Sequence, residues 1–551
     1  MKKKIHDLDS VLSEIGQFGG FQILTCAFLC IPIFLAAFRS LSYIFTASSV
    51  EHRCHINECD LDNNTHYAFL PSWLNNSIPY ENGIPAKCSR YKSRGFTSDF
   101  ENDTSHVCMD DLFDQSTIES CDEFVFKDDR KTIATEFNLL CSHNGWKLAL
   151  VGTLNSFGQL IGVPLGGYVS DRYGRRTTLA LAGTLSALMG IIRSFSVDYI
   201  MFAIFESLDA AVGIVLFPTC MVLAMEMVGP EKRVLASIIL TLFIPLGNAS
   251  MGVVAIYVTD WRSLLRILTI PGLVHIFYFW FINESVRWLL VQSRYEEATT
   301  ALNRAAKLNK TNLSEASLKD LYADNELVKT TSKQSSCESY PIRDIFKSPK
   351  LLWRIANCCF CFITNTLVYY GLSLNSVTLA GDKHMNFIFA CLVELPGFLI
   401  SYIVMSKLGR RPSQSGSLII SGVACFLSCF ATQRQPWLAF LLFLIGKFAI
   451  GVSFTVLYIY VSELFPTNLR QSLLSFCSMF GRIGSMVAPQ TPLIAQYVPS
   501  LPLILFGTFA VTSGLLVLRF PETLDTKLPT TIVDAENVGE KKLEKPDGAN
   551  S

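Results

Sequence analysis

Charged residues are scarce in this chain of 551 residues. Only 17% of the residues are Asp, Glu, Lys or Arg, whereas 50% are apolar and 40 residues are Phe. Soluble proteins cover themselves with charge, so this composition excludes a string of soluble domains. The 46 basic and 46 acidic residues balance, which excludes a global field that would attract nucleic acid or an acidic partner.

Signals of catalysis are missing as well. The sequence contains no GxxxxGK[ST] phosphate-binding loop, which excludes an ATP-driven pump of that type. Its eight His are scattered. His52 and His55 lie beside Cys54 and Cys59 and could imitate a metal cluster, but disulfides suit these cysteines better. We therefore expect no enzyme activity, no cofactor and no bound metal.

Long apolar stretches are what the sequence has in abundance. A transmembrane helix needs about 20 mostly apolar residues. Such stretches lie at roughly 20–48, 146–170, 177–196, 199–225, 234–258, 262–282, 351–375, 384–406, 413–431, 437–461, 472–496 and 500–519. The first lies behind a long amphipathic lead and precedes no small-residue cleavage site, unlike a signal peptide. We predict an all-α membrane protein of twelve transmembrane helices.

Basic residues crowd into alternate connections between these stretches. They comprise Lys2–Lys4, Arg172, Arg175 and Arg176, Lys232 and Arg233, the stretch 294–350, Lys407, Arg410 and Arg411, and Arg470. The positive-inside rule places these connections and both termini in the cytoplasm. The predicted segments are a cytoplasmic lead 1–19, the first helix 20–48, an exoplasmic insert 49–145, helices two to six over 146–282, a helical cytoplasmic linker 283–350, helices seven to twelve over 351–519, and a disordered cytoplasmic tail 520–551.

The insert 49–145 differs in composition from the inner loops. Acidic residues outnumber basic ones, and six cysteines occur in it, namely Cys54, Cys59, Cys88, Cys108, Cys121 and Cys141. An even set of cysteines in an exoplasmic segment predicts disulfides, whose pairing stays open. Three glycosylation sequons begin at Asn63, Asn75 and Asn102. Sequons also begin at Asn283, Asn309 and Asn312, on the side predicted to be cytoplasmic, where they carry no meaning.

An internal repeat relates the two halves of the chain. The strings Gly174-Arg-Arg and Gly409-Arg-Arg are 235 residues apart. Glu226 precedes Arg233 as Glu463 precedes Arg470, and Glu284 is followed 238 residues later by Glu522. These landmarks predict two six-helix halves in parallel repeat, a plan used by alternating-access transporters with the substrate site between the halves.

The loop Asp171-Arg-Tyr-Gly-Arg-Arg resembles the signature of the major facilitator superfamily between its second and third helices. Charges at the inner helix ends could latch the halves together and separate as they rock, or could serve only to set the topology. The candidate latch consists of Asp171, Arg172, Arg175, Arg176, Glu226, Arg233, Arg410, Arg411, Glu463 and Arg470.

Further motifs are similar to the organic ion transporters of solute carrier family 22. They are Thr135-Glu-Phe-Asn-Leu-Leu-Cys141, Asn283-Glu-Ser-Val-Arg-Trp-Leu, Tyr369-Tyr-Gly-Leu and Glu463-Leu-Phe-Pro-Thr-Asn-Leu-Arg470. The resemblance runs from about residue 10 to about residue 525. Within that family, the chain resembles the cation and carnitine branch. One departure is Asn283, where the family usually has Pro.

Ionisable residues inside predicted helices are candidates for substrate binding, because a charge in a membrane is costly. Arg482 stands where, by the resemblance, cation carriers have Asp and carnitine or anion carriers have Arg. It could grip a carboxylate or form a structural ion pair. Glu206 and Asp209 share a helix face and could attract an amine, pair with Arg482, or be ordinary solvated charges. Glu394 could contact the ligand or pair structurally.

Aromatic rings could hold an alkylammonium group by cation–π attraction. By the resemblance, Tyr369 matches a substrate-lining Tyr and Phe217 a fourth-helix aromatic, although Phe217 could equally be core. Phe398 occupies a place where anion carriers tend to have Lys. Arg39 and Lys447 are further intramembrane bases with no role assigned by the sequence.

These residues predict a plasma-membrane transporter of small organic cations or zwitterions, such as carnitine-, carcinine- or histamine-like amines. Its partners are expected to be the solute, the lipid bilayer, and a coupling ion or counter-substrate, without nucleic acid. Two alternatives stay open. One is an organic anion exchanger led by Arg482, and the other is a transporter-like receptor that binds the solute without moving it.

Overall fold

The computed structural model describes residues 8–57, 59–60, 69–81, 84–94, 112–311, 313–314, 318, 321–322, 348–431, 435–466, 469–524, 526, 529 and 532–536. Twelve helical segments, labelled α1 to α12, follow the twelve predicted apolar stretches. The first six are α1 Gly20–Ser40, α2 Trp146–Tyr173, α3 Arg175–Arg193, α4 Tyr199–Gly213 continued by Leu216–Met227, α5 Arg233–Tyr257, and α6 Trp261–Thr269 continued by Ile270–Phe277 (3₁₀) and Tyr278–Phe281.

The second six helices repeat this order after the linker. They are α7 Pro349–Asn375, α8 Lys383–Leu392 continued by Glu394–Leu408, α9 Arg410–Ala431, α10 Pro436–Leu464, α11 Arg470–Val487 continued by Ala488–Gln490 (3₁₀) and Thr491–Tyr497, and α12 Leu501–Val517. Short 3₁₀ turns lie at Pro230–Lys232 and Ser376–Thr378. The predicted arrangement of two six-helix halves is confirmed.

Nine of these segments, within the described residues, are long and apolar enough to cross a membrane by themselves. The other three are α3, α11 and α12. Helices α3 and α11 begin with arginines and carry more polar residues, and α12 has 17 residues. Because of that polarity or shorter length, none of the three stands out as a membrane span by hydropathy alone.

Small residues bring α2 and α4 into backbone contact. Gly158, Gly162 and Gly166 follow each other at intervals of four residues along α2. A Cβ atom at Gly158 or Gly162 would overlap the carbonyl oxygen of Ser207 or Ala211 on α4. Glycine stripes of this kind allow close helix packing in membranes. This contact fixes which polar residues of α2 and α4 face each other.

Helices α7 and α11 make a similar close contact in the second half. The hydroxyl group of Thr366 on α7 donates a hydrogen bond to the Gly481 carbonyl oxygen on α11. A Cβ atom at Gly484 would overlap the backbone of Ile363. Because α11 is held against α7, the position of Arg482 on α11 is set within its own half.

Residues 43–149 and 258–264 form a second compact unit. It contains the helices Tyr43–Thr46, Leu74–Ser77, Ile133–Glu136 and Cys141–Asn144, and the strands β1 His52–Cys54, β2 Tyr80–Glu81, β3 Ile84–Pro85, β4 Ser89–Ser93, β5 Phe113–Ser120 and β6 Phe124–Phe126. Three antiparallel pairs form, β1 with β6, β2 with β3 and β4 with β5. A small core around Ile56, Leu74 and Phe113 supports them.

Three further helices, Leu8–Ile15, Val286–Val291 and Tyr295–Asn309, belong to the predicted lead and linker. Asp9 of the first pairs with Arg233 at 2.6 Å and also with Arg287. The side chain of Asn309 donates to the Ile15 carbonyl oxygen and accepts from the Phe21 amide at 2.8 Å. These ion pairs and hydrogen bonds hold the N-terminal lead against the first six-helix half and the linker. A last helix, Ile532–Glu536, lies in the stretch predicted as a tail.

Candidate functional site

Four buried charged residues form a neutral cluster inside the first half. Arg193 of α3 pairs with Glu206 of α4, and its guanidinium also lies 3.7 Å from Asp209. Arg39 of α1 lies 3.8 Å from the Asp209 carboxylate. All four side chains are at most 8% exposed. Two guanidinium groups thus compensate two carboxylates, and this half carries no net charge at its centre.

Of the alternatives open for Glu206 and Asp209, this cluster contradicts a pair with Arg482 and a solvated position. The acids pair with Arg193 and Arg39 instead. A substrate amine would have to displace a buried guanidinium group to reach either carboxylate. Sequence reasoning missed Arg193, although an arginine ending an apolar stretch beside two intramembrane acids was the available signal.

A second neutral cluster lies inside the other half. The ammonium group of Lys447 on α10 is 2.9 Å from the Glu394 carboxylate on α8. The hydroxyl group of Tyr369 donates to Glu394 at 2.7 Å, and the Lys447 nitrogen lies 3.5 Å from the centre of the Tyr369 ring. Lys447 is therefore the partner of Glu394, and it occupies one face of the ring expected to line the substrate path.

Arg482 is arranged differently from these paired charges. It is half-buried on α11, and its Nη1 donates to Gln159 Oε1 of α2 at 2.7 Å. Among the described residues, no acidic side chain lies within ion-pair distance of its guanidinium group. Arg482 thus places one uncompensated positive charge where a helix of the first half meets a helix of the second.

A row of aromatic rings runs along α7 and α10. Ring centres are 5.4 Å apart between Tyr370 and Tyr369 and between Tyr369 and Phe454. Phe454 continues to Tyr458 at 5.5 Å, and Tyr458 to Phe362 at 5.1 Å. At its end the row approaches Arg482, since a Cβ atom at the neighbouring Gly481 would lie 3.5 Å from the Cβ atom of Phe362. This row offers π faces near the uncompensated arginine.

Phe217 lies away from this row. It is partly buried against the hydrophobic core of the first half. A groove of about 400 Å³ lies between α2 and α4, lined by apolar residues such as Phe157 and Ile204. Its lining residues carry no charged group.

Two ion pairs join candidate latch residues of the first half, and the others bind residues outside the candidate latch. Arg175 pairs with Asp171 at 3.0 Å and with Glu226 at 3.3 Å. Glu284 accepts hydrogen bonds from the backbone amides of Arg175 and Arg176, and so caps α3. Arg172 donates to Tyr168, and Arg233 binds Asp9.

The second half repeats this arrangement. Arg410 pairs with Glu463 at 3.1 Å, while Glu522 accepts from the backbone amides of Arg410 and Arg411. Gly174 and Gly409 have φ values of +97° and +98°. Only glycine adopts this conformation readily, and a side chain there would strike the capping carboxylate. These ion pairs each lie within one half. Two nitrogens of Arg470 have no hydrogen-bond partner among the residues that the structure describes.

Contacts between the halves lie at the opposite end of the bundle. The hydroxyl groups of Thr153 and Ser156 on α2 donate to backbone carbonyl oxygens of Met486 and Ser485 at 2.9 and 3.0 Å. Gln490 donates to Thr153 at 2.8 Å. Helices α5 and α8 also touch, since a Cβ at Gly252 would lie 2.8 Å from Ile388. The halves are thus joined at the end where α1 stops and α2 begins.

The cysteines of the insert form disulfides. Cys54 is bonded to Cys121, Cys88 is bonded to Cys141, and Cys59 is also disulfide-bonded. Cys108 lies outside the described residues. Of the candidate glycosylation sites, Asn75 is exposed on a short helix, whereas Asn63 and Asn102 lie outside the described residues.

Comparison with known families supports this architecture. The Major Facilitator Superfamily model matches residues 132–489 and 387–536. The chain is 18% identical to the xylose transporter XylE from E. coli in an inward open conformation, with a TM-score of 0.56 over 72% of this chain and 92% of that one. At this identity the likeness shows the fold alone.

Relatives in sequence span nearly the whole chain. It is 30% identical to the Drosophila melanogaster organic cation transporter protein, over 97% of this chain and 95% of that protein. It is 30% identical to mouse solute carrier family 22 member 21, over 98% of this chain and 94% of that protein. It is also 30% identical to the human organic cation/carnitine transporter 2, over 96% and 94%.

Proposed function

The chain belongs to solute carrier family 22 of the major facilitator superfamily, and from this we propose that it carries small organic cations that also bear a carboxylate, as carnitine does. It is a membrane transporter and not an enzyme. Names of relatives support organic cations as the broad class of solute. The finer choice of a zwitterion rests on the charges of the central helices.

The observation that carries the proposal is the unpaired charge of Arg482. Every other buried charge at the helix centres named above has an opposite partner in its own half. A guanidinium group binds a carboxylate through two parallel hydrogen bonds. A dication or a simple monoamine would instead meet repulsion from Arg482. Carnitine-like solutes therefore fit better than histamine- or carcinine-like amines.

The ammonium end of the solute is assigned to the aromatic row on α7 and α10. Quaternary ammonium groups bind well to aromatic faces, which accept charge without requiring a hydrogen bond. Tyr370, Phe454 and Tyr458 offer such faces near Arg482, whereas Tyr369 has Lys447 on one face. The solute would thus lie with its carboxylate on α11 and its ammonium group along α10.

Alternating access is the proposed mode of transport. The halves meet at one end through α2 and α11, and the latch pairs at the other end stay within each half. We assign the joined end to the exoplasmic side, because the Cys-rich insert connects α1 to α2 there, and the other end to the cytoplasm, because it is rich in Arg. The state described is then closed to the outside. We further assign the chain to the plasma membrane, with both termini inside.

Organic anion exchange is the second candidate, and it is favoured by the same uncompensated Arg482. The two candidates differ in whether a positive group on the solute improves transport. A receptor that binds without transport is less consistent with two complete sets of inner charge pairs, which a static binding protein would not need.

An uptake panel tests the proposal. Cells expressing the chain would receive labelled carnitine, tetraethylammonium and p-aminohippurate, at normal and altered membrane potential and sodium. We expect saturable uptake of carnitine above that of the other two probes. Preference for p-aminohippurate would favour anion exchange, and binding without uptake would favour the receptor.

The role of Arg482 is tested by Arg482→Gln, with Arg482→Lys as the control that keeps the charge but loses the bidentate geometry. A charge-assisted hydrogen bond contributes about 1.5–3 kcal/mol, so carnitine affinity should fall roughly tenfold to a hundredfold while tetraethylammonium is spared. The Arg482→Lys variant should lose less carnitine affinity than Arg482→Gln does. Equal losses for both probes at normal surface expression would contradict a carboxylate site at Arg482.

A further inference from the structure

We propose that Asn155 and Gln159 are positioning residues for Arg482, linking it to the buried Glu206–Arg193 pair and thereby setting the preference for a carboxylate. This inference rests on the proposed function, in which Arg482 binds the carboxylate of the solute. It concerns two amides of the first half that stand between Arg482 and Glu206 and that the sequence did not connect with either residue.

Four side chains form one continuous line of hydrogen bonds. Arg482 Nη1 donates to Gln159 Oε1 at 2.7 Å, and Gln159 Nε2 donates to Asn155 Oδ1 at 2.8 Å. Asn155 Nδ2 donates to Glu206 Oε1 at 2.7 Å. The other oxygen of Glu206 is bound by Arg193. The line therefore runs from the seam between the halves to the ion pair between α3 and α4.

The direction of every bond is dictated by chemistry. A guanidinium group can only donate, so Gln159 must turn its carbonyl oxygen to Arg482. Its NH₂ group then faces Asn155, which must accept with its own oxygen. The NH₂ group of Asn155 is left to donate, and an ionised carboxylate is a pure acceptor at the far end. No amide in this line can turn over without losing two bonds.

Burial makes this line rigid. Asn155, Gln159 and Glu206 are 6%, 9% and 1% exposed, so water does not compete for their hydrogen bonds. Asn155 and Gln159 are one turn apart on α2, on the side that carries the glycine stripe. Because that stripe holds α2 against α4, Asn155 cannot drift away from Glu206. Gln159 is thereby presented to Arg482 in one orientation.

The consequence for the solute is a fixed guanidinium group. A free arginine on a helix samples many rotamers, and binding a ligand then costs the entropy of fixing them. Gln159 uses one Nη1 hydrogen and leaves the other N–H groups of Arg482 available for a carboxylate. A simple cation gains nothing from this arrangement, so the line acts on carboxylate affinity and not on affinity for ammonium groups.

The bond between Arg482 and Gln159 also joins the two halves. Helices α2 and α11 belong to different halves, so this bond must break when the joined end opens. Arg482 is then fixed in the state described and released in the opposite one. Carboxylate affinity should therefore differ between the two states.

The test uses Asn155→Ala and Gln159→Met, with uptake corrected for surface expression. The readout is the ratio of the KM for carnitine to the KM for tetraethylammonium in the same cells. Loss of one hydrogen bond in the line should raise this ratio roughly threefold to tenfold in either variant. Gln159→Glu should raise it further, because its carboxylate would occupy Arg482 in place of the solute.

Ser156→Ala is the matched control. Ser156 lies between the two amides in sequence and also bonds α11, but through the Ser485 backbone and not through Arg482. It should change the maximal rate for both probes alike and leave the KM ratio unchanged. If Ser156→Ala changed the KM ratio as much as the two amide variants do, the effect would belong to the contact between α2 and α11 in general. That result would overturn the positioning role.

The inference and the proposed function fail in different ways. If Arg482→Gln is selective for carnitine while Asn155→Ala and Gln159→Met leave the KM ratio unchanged, the positioning role is overturned and the carboxylate site stands. If Arg482→Gln is not selective, the proposed function itself falls. Should Asn155→Ala not reach the surface, Gln159→Met and Gln159→Glu decide the question.

Discussion

Asp209 and Lys447 stand 238 residues apart, at matching places in the fourth helix of each half, and carry opposite charges. The same interval separates the capping glutamates Glu284 and Glu522. Each buried charge is neutralised inside its own half, Asp209 by two arginines and Lys447 by Glu394. The repeat therefore keeps a charged position on the fourth helix but not its sign, and both residues serve to join helices within a half.

The first prediction concerns the Lys447–Glu394 pair. Lys447→Met should destabilise the protein by about 3–5 kcal/mol, because a buried carboxylate is left without its counter-charge. Lys407→Met, on an exposed basic residue, is the control and should change stability little. Thermal unfolding of the purified proteins in nanodiscs measures the difference.

The double variant Lys447→Met/Glu394→Gln checks the cause. Removing both charges should recover most of the lost stability, while the amide introduced on α8 can still accept a hydrogen bond from Tyr369. A double variant no more stable than Lys447→Met would show that Lys447 supports the fold through its packing on the Tyr369 ring and not through its charge.

The helices of this protein can be predicted from its sequence, but the partners of its buried charges cannot. Apolar length and alternate basic loops predicted all twelve helices, because bilayer thickness and charge placement act locally along the chain. The partner of a buried charge depends on which helix faces lie together, which hydropathy does not encode. Arg193, Asn155 and Gln159 were therefore missed. A direct pair with Arg482 was one of the alternatives open for Glu206, but two amides stand between these residues.

A second prediction concerns the disulfide between Cys88 and Cys141. Removal of a disulfide from a small exported domain typically costs about 2–5 kcal/mol, so Cys88→Ser should sharply lower surface expression. Cys429→Ser, a free cysteine of α9, is the control and should be tolerated. Peptide mapping without reduction should recover the two bonded pairs, and a Cys88 peptide linked to Cys54 or Cys121 would contradict the structure.

A third prediction is a dependence of stability on acid pH through Glu136. Burial raises the pKa of Glu136, but the hydrogen bonds from Arg262 and Trp261 lower it by more than burial raises it. The pKa of Glu136 therefore lies below the ordinary 4.5. A depressed carboxylate pKa stabilises the folded state above pH 4.5 and loses that contribution as pH falls through the folded pKa. Thermal unfolding should therefore show Glu136→Gln less stable than wild type near neutral pH, with the gap narrowing below 4.5. A gap independent of pH would assign Glu136 a packing role.

A fourth prediction is glycosylation of the insert at Asn63, Asn75 and Asn102. Glycosidase digestion should increase the gel mobility of the protein from the cell surface, and the triple Gln variant should remove that shift. Asn283→Gln is the control, since its sequon lies on the side assigned to the cytoplasm. A shift that survives the triple variant, or one removed by Asn283→Gln, would reverse the assigned orientation.

The last prediction concerns the candidate latch at the helix ends that we assign to the cytoplasm. Asp171 is exposed here and pairs with Arg175 of its own half, an interaction that contributes only about 0–1 kcal/mol to stability. Arg470, which begins α11, has two nitrogens that find no hydrogen-bond partner in the described part of the chain. Helices α2 and α11 already meet at the ends far from Asp171 and Arg470. Rocking that separates those ends should therefore bring Asp171 and Arg470 together.

Asp171→Asn should then slow turnover severalfold for every solute, with equilibrium binding and folding nearly unchanged. Glu231→Gln, on the same side, is the control and should leave turnover, binding and folding unchanged. The charge exchange Asp171→Arg/Arg470→Asp should restore part of the rate. If each single reversal slows transport and the exchange slows it as much as both losses combined, the two residues do not meet, and the charges at these ends serve only the topology of the chain.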